Sequence, residues 1–433
     1  MTRKPPESDG PSLMLAPWNG MSLPGLLQGG ATLRAGAPAL SEPQDIESLM
    51  GRAPIRLTCR QFSLAVDLAA QKLRSLGIRP GEVVLTFLPN TAEAAIALIA
   101  IQKLGALPAP LPIFESIERL AAAAALTEAA GIVTVTGFAG IRAAERAREA
   151  AAAALNVRLV AAFGADVPEG VSGLDDWEQV EFIGKAGFPR LDGRMPALVT
   201  FDEIGGAMRA LVRSHEQLVA EAATAASLAR VTAGSRLLMP LPPATAAGVV
   251  LGLALPLLSG AHLELNALFD SCTFGAQLGD GADTTVVLPA AAAHSYAGQC
   301  AERAMRAESV ILVHRPRPHE PLLATPEFER DARLVDMLCL GEALTTMSPR
   351  AVQAQPGRVP KRATAQVPGI LQADRPTFTC TLDPEGLVTV QGALVPHRLG
   401  EAAAPLATGF PANKDDRRLL LINPPPGSAQ SAA

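Results

Sequence analysis

Apolar positions along this chain recur at two spacings. Over Leu57–Leu76 (LTCRQFSLAVDLAAQKLRSL), Phe62, Val66, Ala69, Leu73 and Leu76 fall at three- and four-residue steps, the spacing of one helical face, and Gly77 supplies a C-terminal stop. GEVVLTFLPN, a short apolar run bounded by Gly81 and Pro89, predicts a buried strand. Asn90 can cap the helix predicted for TAEAAIALIAIQKLGA, which Gly105 closes, and the Pro-rich Leu107–Ile113 predicts extended chain. Glu118–Ala130 and Ile141–Leu155 predict further helices, leading into the strands GIVTVTG and VRLVAAFG.

The rhythm resumes after a Gly/Asp/Pro-rich linker at Gly164–Pro196. PALVTF, SRLLMPLP, HLELN and TTVVLP read as strands, with helices at His215–Val231 and Ala246–Leu258 between them. Strands alternating with helices argue for an α/β fold with parallel sheets covered on both faces. Beyond Pro356 the pattern changes to PTFTCTLDPEGLVTVQGAL, two short strands around the turn Asp383-Pro384-Glu385-Gly386. The expected organisation is a flexible arm (1–20), two α/β units (21–190 and 191–355), a small β unit (356–422) and a disordered tail (423–433).

Composition narrows the function classes. The chain has 433 residues, 48% hydrophobic and 18% charged, which excludes disorder of the whole chain. The formal charge of −5, without a long run of either sign, removes the electrostatic footprint of a nucleic-acid binder. Five scattered cysteines without a C-x-x-C pair disfavour zinc or a disulfide framework and fit a reducing cytoplasm. Leu237–Leu263 carries no Asp, Glu, Lys or Arg and is long enough to span a bilayer. Pro240, Pro242, Pro243 and Pro256 interrupt it, so a buried core helix is expected and no membrane span.

LGIRPGEVVLTFLPNTAEAAIALIAIQKLGALPAPL resembles the N-terminal domain of the adenylate-forming (AMP-binding, acyl-CoA synthetase-like) superfamily, with Gly81, Asn90, Glu93, Gly105, Ala106 and Pro110 at the family's positions. Similar words follow in order: Ser214-His215, PLPPATAAG, GEAL at Gly341–Leu344, VPGI, GLVTVQGALV and ATGFPANKDDRRLLLI. The resemblance implies the stacked αβαβα N-terminal domain with a small β subdomain. It also implies a C-terminal lid domain, which would begin just beyond Leu421, twelve residues before the end of this sequence, and which is therefore expected to be absent.

Adenylation requires a grip on the triphosphate, alignment of a carboxylate with the α-phosphate, and neutralisation of transition-state charge. The family's phosphate loop, T-S-G-T-T-G-x-P-K-G, falls on Phe201–Ala210, where only Gly206 matches and Arg209 stands at the lysine. Asp202 and Glu203 would put two carboxylates beside the phosphates; a like-charge pair about 4 Å apart costs about 4 kcal/mol at an effective dielectric of about 20. The stretch around Gly205 and Gly206 is therefore expected to be a strand-to-helix turn with solvated acids. The family's pocket histidine falls on Thr245, which can instead cap the next helix, and the ribose-binding aspartate falls on Phe410, two residues after Thr408. The Y-G-x-T-E word, whose glutamate helps hold magnesium, has no counterpart in AVQAQPGRVPKRATAQVPGI.

These departures imply a degenerate, non-catalytic relative with no catalytic residue, cofactor or metal, acting as a binding, scaffolding or regulatory partner in a homo- or hetero-oligomer. The alternative is a divergent ATP- and magnesium-dependent acyl-CoA or acyl-acid ligase whose missing domain and groups come in trans. A remnant acyl pocket for an acyl chain or acyl-CoA is expected around Thr245, Gly248, Gly341 and Glu342. His314 and His319, five residues apart across prolines, make a poor metal pair. Ser214-His215 and His294-Ser295-Tyr296 lack a nucleophile elbow and read as surface or cap residues, and the basic cluster Arg303, Arg306, His314, Arg315 and Arg317 reads as a solvated face.

Overall fold

The computed structural model describes residues 20–175, 187–278, 283–293, 307–317, 332–350, 358–360, 362–363, 377–414 and 418–421. The expected arm up to residue 19, the tail, VPGI, His294, Ser295, Tyr296, Cys300, Arg303, Arg306 and His319 lie outside the described residues. Two parallel sheets form the body of the chain, as the alternating pattern predicts.

The first sheet has five strands, in the order Leu107–Leu111, Val83–Phe87, Gly131–Val135, Leu159–Phe163 and Ser172–Gly173, all parallel. VVLTF, GIVTV and LVAAF are buried along their whole length, as parallel strands covered on both faces must be. LPAPL carries two prolines, and it occupies the sheet edge, where a missing N–H is tolerated. The short edge strand at Ser172–Gly173 lies inside the segment expected to be linker.

The second sheet has eight strands, in the order Leu344–Pro349, Arg333–Leu340, Ser309–His314, Thr284–Pro289, Arg236–Met239, His262–Leu265, Pro38–Ser41 and Arg56–Thr58. Its interior is parallel and both edges are antiparallel. The last two strands come from the stretch expected to form the first unit: Leu40 pairs in parallel with Leu263. At four and three residues they are too short to show a period. One continuous apolar core joins the two sheets and the helices between them.

Helix Ala92–Lys103 is buried on every side from Ala92 to Gln102, between the first sheet and helices Leu23–Leu33 and Cys59–Ser75. Its N-cap is Thr91 rather than Asn90, and its first N–H, at Ala92, donates to Glu42 Oε1 at 2.8 Å. Asn90 does a longer-range job, because its Nδ2 donates to the carbonyls of Met239 (2.8 Å) and Asn266 (3.0 Å) and ties the end of a first-sheet strand to two strand ends of the second. Helix Cys59–Ser75 begins with a capping box, Thr58 with Gln61.

Within the charge-free segment, Ala246–Ser259 forms one helical run, buried as far as Pro256: an α turn over Ala246–Val249, a π turn over Val250–Ala254 and an α turn over Leu255–Ser259. The wide turn lies just before Pro256, which has no N–H to continue the α ladder. No helix among the described residues is long and apolar enough to cross a membrane. The small β unit is a six-stranded antiparallel sheet in which Phe378–Leu382 and Leu387–Gln391 flank the expected turn, with Gly386 at φ +80°. Its apolar core is shared with Leu211 of strand Ala207–Ser214 and with Leu338, Leu340, Ala343 and Leu344 of the second sheet's edge.

Candidate functional site

The phosphate-loop position is not a strand-to-helix turn. Strands Pro196–Ile204 and Ala207–Ser214 form an antiparallel hairpin that runs straight through it, and Ile204 pairs with Ala207 across a two-residue turn. Gly205 and Gly206 both take positive φ, +59° and +77°, as a tight hairpin turn of the I′ kind requires. The two glycines are thus committed to the turn.

The hairpin register puts Asp202 opposite Arg209. Their side chains, about one-tenth exposed, form an ion pair at 2.8 Å, and Asp202 Oδ1 also accepts from the Glu203 N–H at 3.0 Å. Glu203, the next residue on the strand, points the other way. It is half-exposed and pairs with Arg119 at 2.8 Å, on the helix Ile117–Leu126. The expected clash of two neighbouring carboxylates therefore does not occur, and Asp202 is not solvated. Asp202 is pressed against Gly341: a Cβ built on Gly341 would lie 2.5 Å from Asp202 Oδ1, and Gly341 takes φ +55°.

Gly341 opens the turn, 341–343, between strands Arg333–Leu340 and Leu344–Pro349, and the next residue joins the remaining predicted positions. Glu342 is 3% exposed; its Oε2 accepts from the Ala246 N–H at 2.9 Å, and its Oε1 from Arg315 at 2.7 Å. Thr245 caps the same helix start, accepting from the Gly248 N–H at 3.1 Å. Gly248 allows close packing on Pro242, whose carbonyl would lie 2.1 Å from a Cβ there. Thr245, Gly248, Gly341 and Glu342 are thus brought together, and Gly341 links them to the hairpin.

The centre of this assembly was not singled out from sequence. Arg213, on the hairpin, is 0% exposed. Its guanidinium donates to Thr200 Oγ1 at 3.1 Å and to the Glu342 carbonyl, and it faces the carboxylates of Glu221 and Glu342 at 3.9 Å each. Arg213 Nε and Glu221 Oε2 are buried without a hydrogen-bond partner. Burial pushes the Glu221 carboxyl up to about 7, against the pull of Arg213 and with a further push from Glu342. Desolvation also pushes the nearby Cys339 thiol up to about 12. Alternation did offer a signal, since Leu211, Arg213 and His215 fall at two-residue steps running into the core.

Thr408 and Phe410 lie apart from the polar cluster. Thr408 Oγ1 donates to the Val388 carbonyl at 2.8 Å, and the Phe410 ring is buried in the core of the small β unit, which also includes Ala343. Three further expectations change. Ser214 is a helix cap in a capping box with Gln217, but His215 is buried, not on the surface, and its Nδ1 accepts from the Leu23 N–H at 3.3 Å. Desolvation pushes this imidazole down to about 3. His314 is buried against Asp336 at 2.8 Å and so leaves the expected solvated basic face, whereas Arg315 is exposed and reaches Glu342 from there. Arg350 also pairs with Asp336, and these partners hold the Asp336 carboxyl below its usual range despite burial.

Comparison with known proteins agrees with the geometry. The family described as AMP-binding enzyme matches residues 34–201. That segment of the chain is similar to the AMP-binding enzymes. A Mycobacterium tuberculosis salicyl-AMP ligase / salicyl-S-ArCP synthetase is 32% identical over 246 residues, which are 54% of this chain and 42% of that protein. The chain thus spans less than half the length of the curated relative it matches. Among solved structures, the N-terminal domain of FACL13 from M. tuberculosis superimposes with a TM-score of 0.67 at 17% identity, over 93% of this chain and 100% of that one. The Klebsiella oxytoca NpsA N-terminal subdomain, solved with anthranilyl-AMSN, gives 0.64 at 13%, over 94% and 100%. At such identities the superpositions establish the fold alone, the α/β architecture of those N-terminal domains.

Proposed function

We propose that this chain is a non-catalytic member of the superfamily that acts in the cytoplasm as a binding, scaffolding or regulatory partner within a homo- or hetero-oligomer. One observation carries the reading: the phosphate-loop position is closed on itself. Its two glycines form a hairpin turn, and its one cation is spent on Asp202 in the ion pair with Arg209. A triphosphate there would have to strip Arg209 from a nearly buried partner and approach the freed Asp202 carboxylate. The residues present do not fit ATP with magnesium.

ATP–pyrophosphate exchange tests this directly, using salicylate, anthranilate and a series of fatty acids. The expected outcome is exchange at the no-protein background for every acid; measurable turnover by the purified chain defeats the proposal. The 32% identity to a salicyl-AMP ligase favours a second reading, an AMP-forming acid ligase completed by another polypeptide. Exchange that appears only when a second component from the native cell is restored would establish it. A Klebsiella NpsA–ThdA chain is an artificially fused adenylation–PCP di-domain, which makes a carrier-type protein a reasonable first candidate for the partner. Thermal shift with acyl-CoA, but not with ATP, would assign the remnant acyl pocket a ligand.

A further inference from the structure

The last three strands of the second sheet, His262–Leu265, Pro38–Ser41 and Arg56–Thr58, floor a cleft of about 700 Å3, within the size range of small-molecule sites. Helix Ser271–Leu278 walls one side with Thr273 and Gln277, while its Phe274 and Leu278 pack on the strands toward the other edge. Alternation decides what the floor carries. Leu263 and Leu265 point into the main core, so His262 and Glu264 point into the cleft. The register puts Ser41 beside both Glu264 and Arg56, so one row crosses the three strands, with His262 one same-face step away. Glu264 is already engaged, because Arg236 holds both its oxygens, at 3.0 and 2.9 Å. The other three are not: among the described residues, exposed Arg56 pairs with no carboxylate, Ser41 Oγ makes no hydrogen bond, and His262 faces Glu264 at 3.7 Å, beyond hydrogen-bond reach. Burial pushes the His262 imidazole down, so it is neutral and keeps one N–H to donate. The cleft is also lined by Asp45, whose Oδ1 is buried without a hydrogen-bond partner.

We infer that this cleft binds a phosphorylated polyol of the sugar-phosphate class, with its phosphoryl oxygens bonded to Arg56, Ser41 and His262 and a hydroxyl donating to Asp45. Three donors on three adjacent strands, spaced about 4.8 Å from strand to strand, suit a group that presents three oxygens better than a flat carboxylate that presents two. The charge of Glu264 is met by Arg236, so it does not repel the phosphoryl group from the same row. The lining of hydroxyl, amide and carboxylate side chains suits a hydroxylated body rather than an acyl or aromatic one. None of these residues belongs to the 201–210 hairpin, the 341–343 turn or the helix start at Ala246. The site therefore stands whether or not the phosphate-loop position takes a nucleotide, and exchange activity decides only the latter.

The test is isothermal titration calorimetry of the full chain with glucose 6-phosphate, ribose 5-phosphate, glycerol 3-phosphate, inorganic phosphate and glucose, at matched ionic strength. At least one of the three phosphorylated polyols should bind saturably, about tenfold or more tighter than inorganic phosphate and than glucose. Arg56→Met should weaken that binding about tenfold or more, since it removes the one cation free to meet the phosphoryl group. Arg56 is exposed on an edge strand, so the variant should fold, and its melting temperature without ligand checks this. Ser41→Ala and Asp45→Asn, measured beside it, should each weaken binding by a smaller factor, and Asp45→Asn should do so for the phosphorylated polyols but not for inorganic phosphate. If none of the three phosphorylated polyols binds, or if folded Arg56→Met binds them as tightly as the native chain, the inference is wrong. Inorganic phosphate binding as tightly as all three would mean a bare oxyanion contact, which overturns it as well.

Discussion

Arg52 and Arg213 each face two glutamates, yet the two groupings are built differently. Arg52, about one-quarter exposed at the side chain, reaches both oxygens of Glu42 and both of Glu93, at 2.6–2.8 Å. Glu42 then accepts from the N–H groups of Ile55 and Ala92, so almost every lone pair is used. Arg213, fully buried, stands 3.9 Å from each of its carboxylates and leaves its Nε and Glu221 Oε2 unmet. A satisfied clasp holds elements together. A loose, buried and under-bonded one is where a fold retains room for chemistry, and in this chain it lies at the strand ends beside the predicted ligand residues.

The sharpest way to break the comparison is to remove the arginines. Arg213→Met leaves Glu221 and Glu342 buried with too little positive charge and should cost about 3–5 kcal/mol. Arg52→Met should cost about as much, but with a different pH response. Glu221 is already held up near 7, so acidification should restore part of the Arg213→Met loss, as chemical denaturation at pH 5.5 and pH 8 would show. Equal losses at both values would mean that Glu221 stays ionised in the fold.

The same carboxyl gives a prediction for the native chain. Its folded pKa lies above the usual 4.5, so the folded state binds the extra proton. The stability that proton contributes is complete below about 4.5 and is lost as pH rises toward 7, on the order of 3 kcal/mol in all. His215, on the same helix, acts with the opposite sign, because its folded pKa of about 3 means stability is lost as pH falls below 6.5. The two slopes oppose each other between about 4.5 and 6.5. Glu221→Gln should remove the decline between pH 6.5 and 7.5, whereas His215→Asn, which keeps an acceptor for the Leu23 N–H, should steepen the fall with rising pH below 6.5. An unchanged profile in Glu221→Gln would refute the raised carboxyl.

How much of this was legible depends on the range of the interaction. The strands VVLTF and GIVTV and the helix after Thr58 are written in local apolar spacing and caps, and they form as expected. The Asp202–Arg209 pair was also within reach, because Gly205-Gly206 between two extended runs is a hairpin signal and fixes which residues face each other. The departure of Phe201–Ala210 from the family's loop concerns residue types and says nothing of that register. Arg213, Glu221 and Glu342 were not legible as a group: they come from a strand, a helix and a turn separated by up to 129 residues, and only the tertiary fold brings them together. Pro38–Ser41 joins the second sheet for a similar reason, since a four-residue strand has no period to read.

Double-mutant cycles sharpen the contrast at smaller scale. The pair Arg52–Glu93, bonded at 2.7 Å, should couple by about 2 kcal/mol. Arg213–Glu221, at 3.9 Å and partly neutralised near pH 7, should couple by less than about 1 kcal/mol there and by more at pH 8.5. Similar coupling for both pairs at neutral pH would mean that distance and protonation do not separate the two clusters.

The smallest effect concerns the helix that the looser cluster holds at its start. Thr245→Ala removes an N-cap, ordinarily worth about 1 kcal/mol. Here the Ala246 N–H is already met by Glu342, so the cap and the glutamate share one helix end. Loss of Thr245 alone should cost no more than about 1 kcal/mol, while Thr245→Ala combined with Glu342→Gln should cost more than the two single changes together, because the double variant leaves the Ala246 and Gly248 N–H groups without a charged or hydroxyl acceptor. At Thr58, where Gln61 reaches back to the cap residue's own N–H and no distant carboxylate intervenes, Thr58→Ala should show its full cost in the single variant. Additive behaviour at Thr245 would separate the helix start from Glu342 and reduce the cluster to independent contacts.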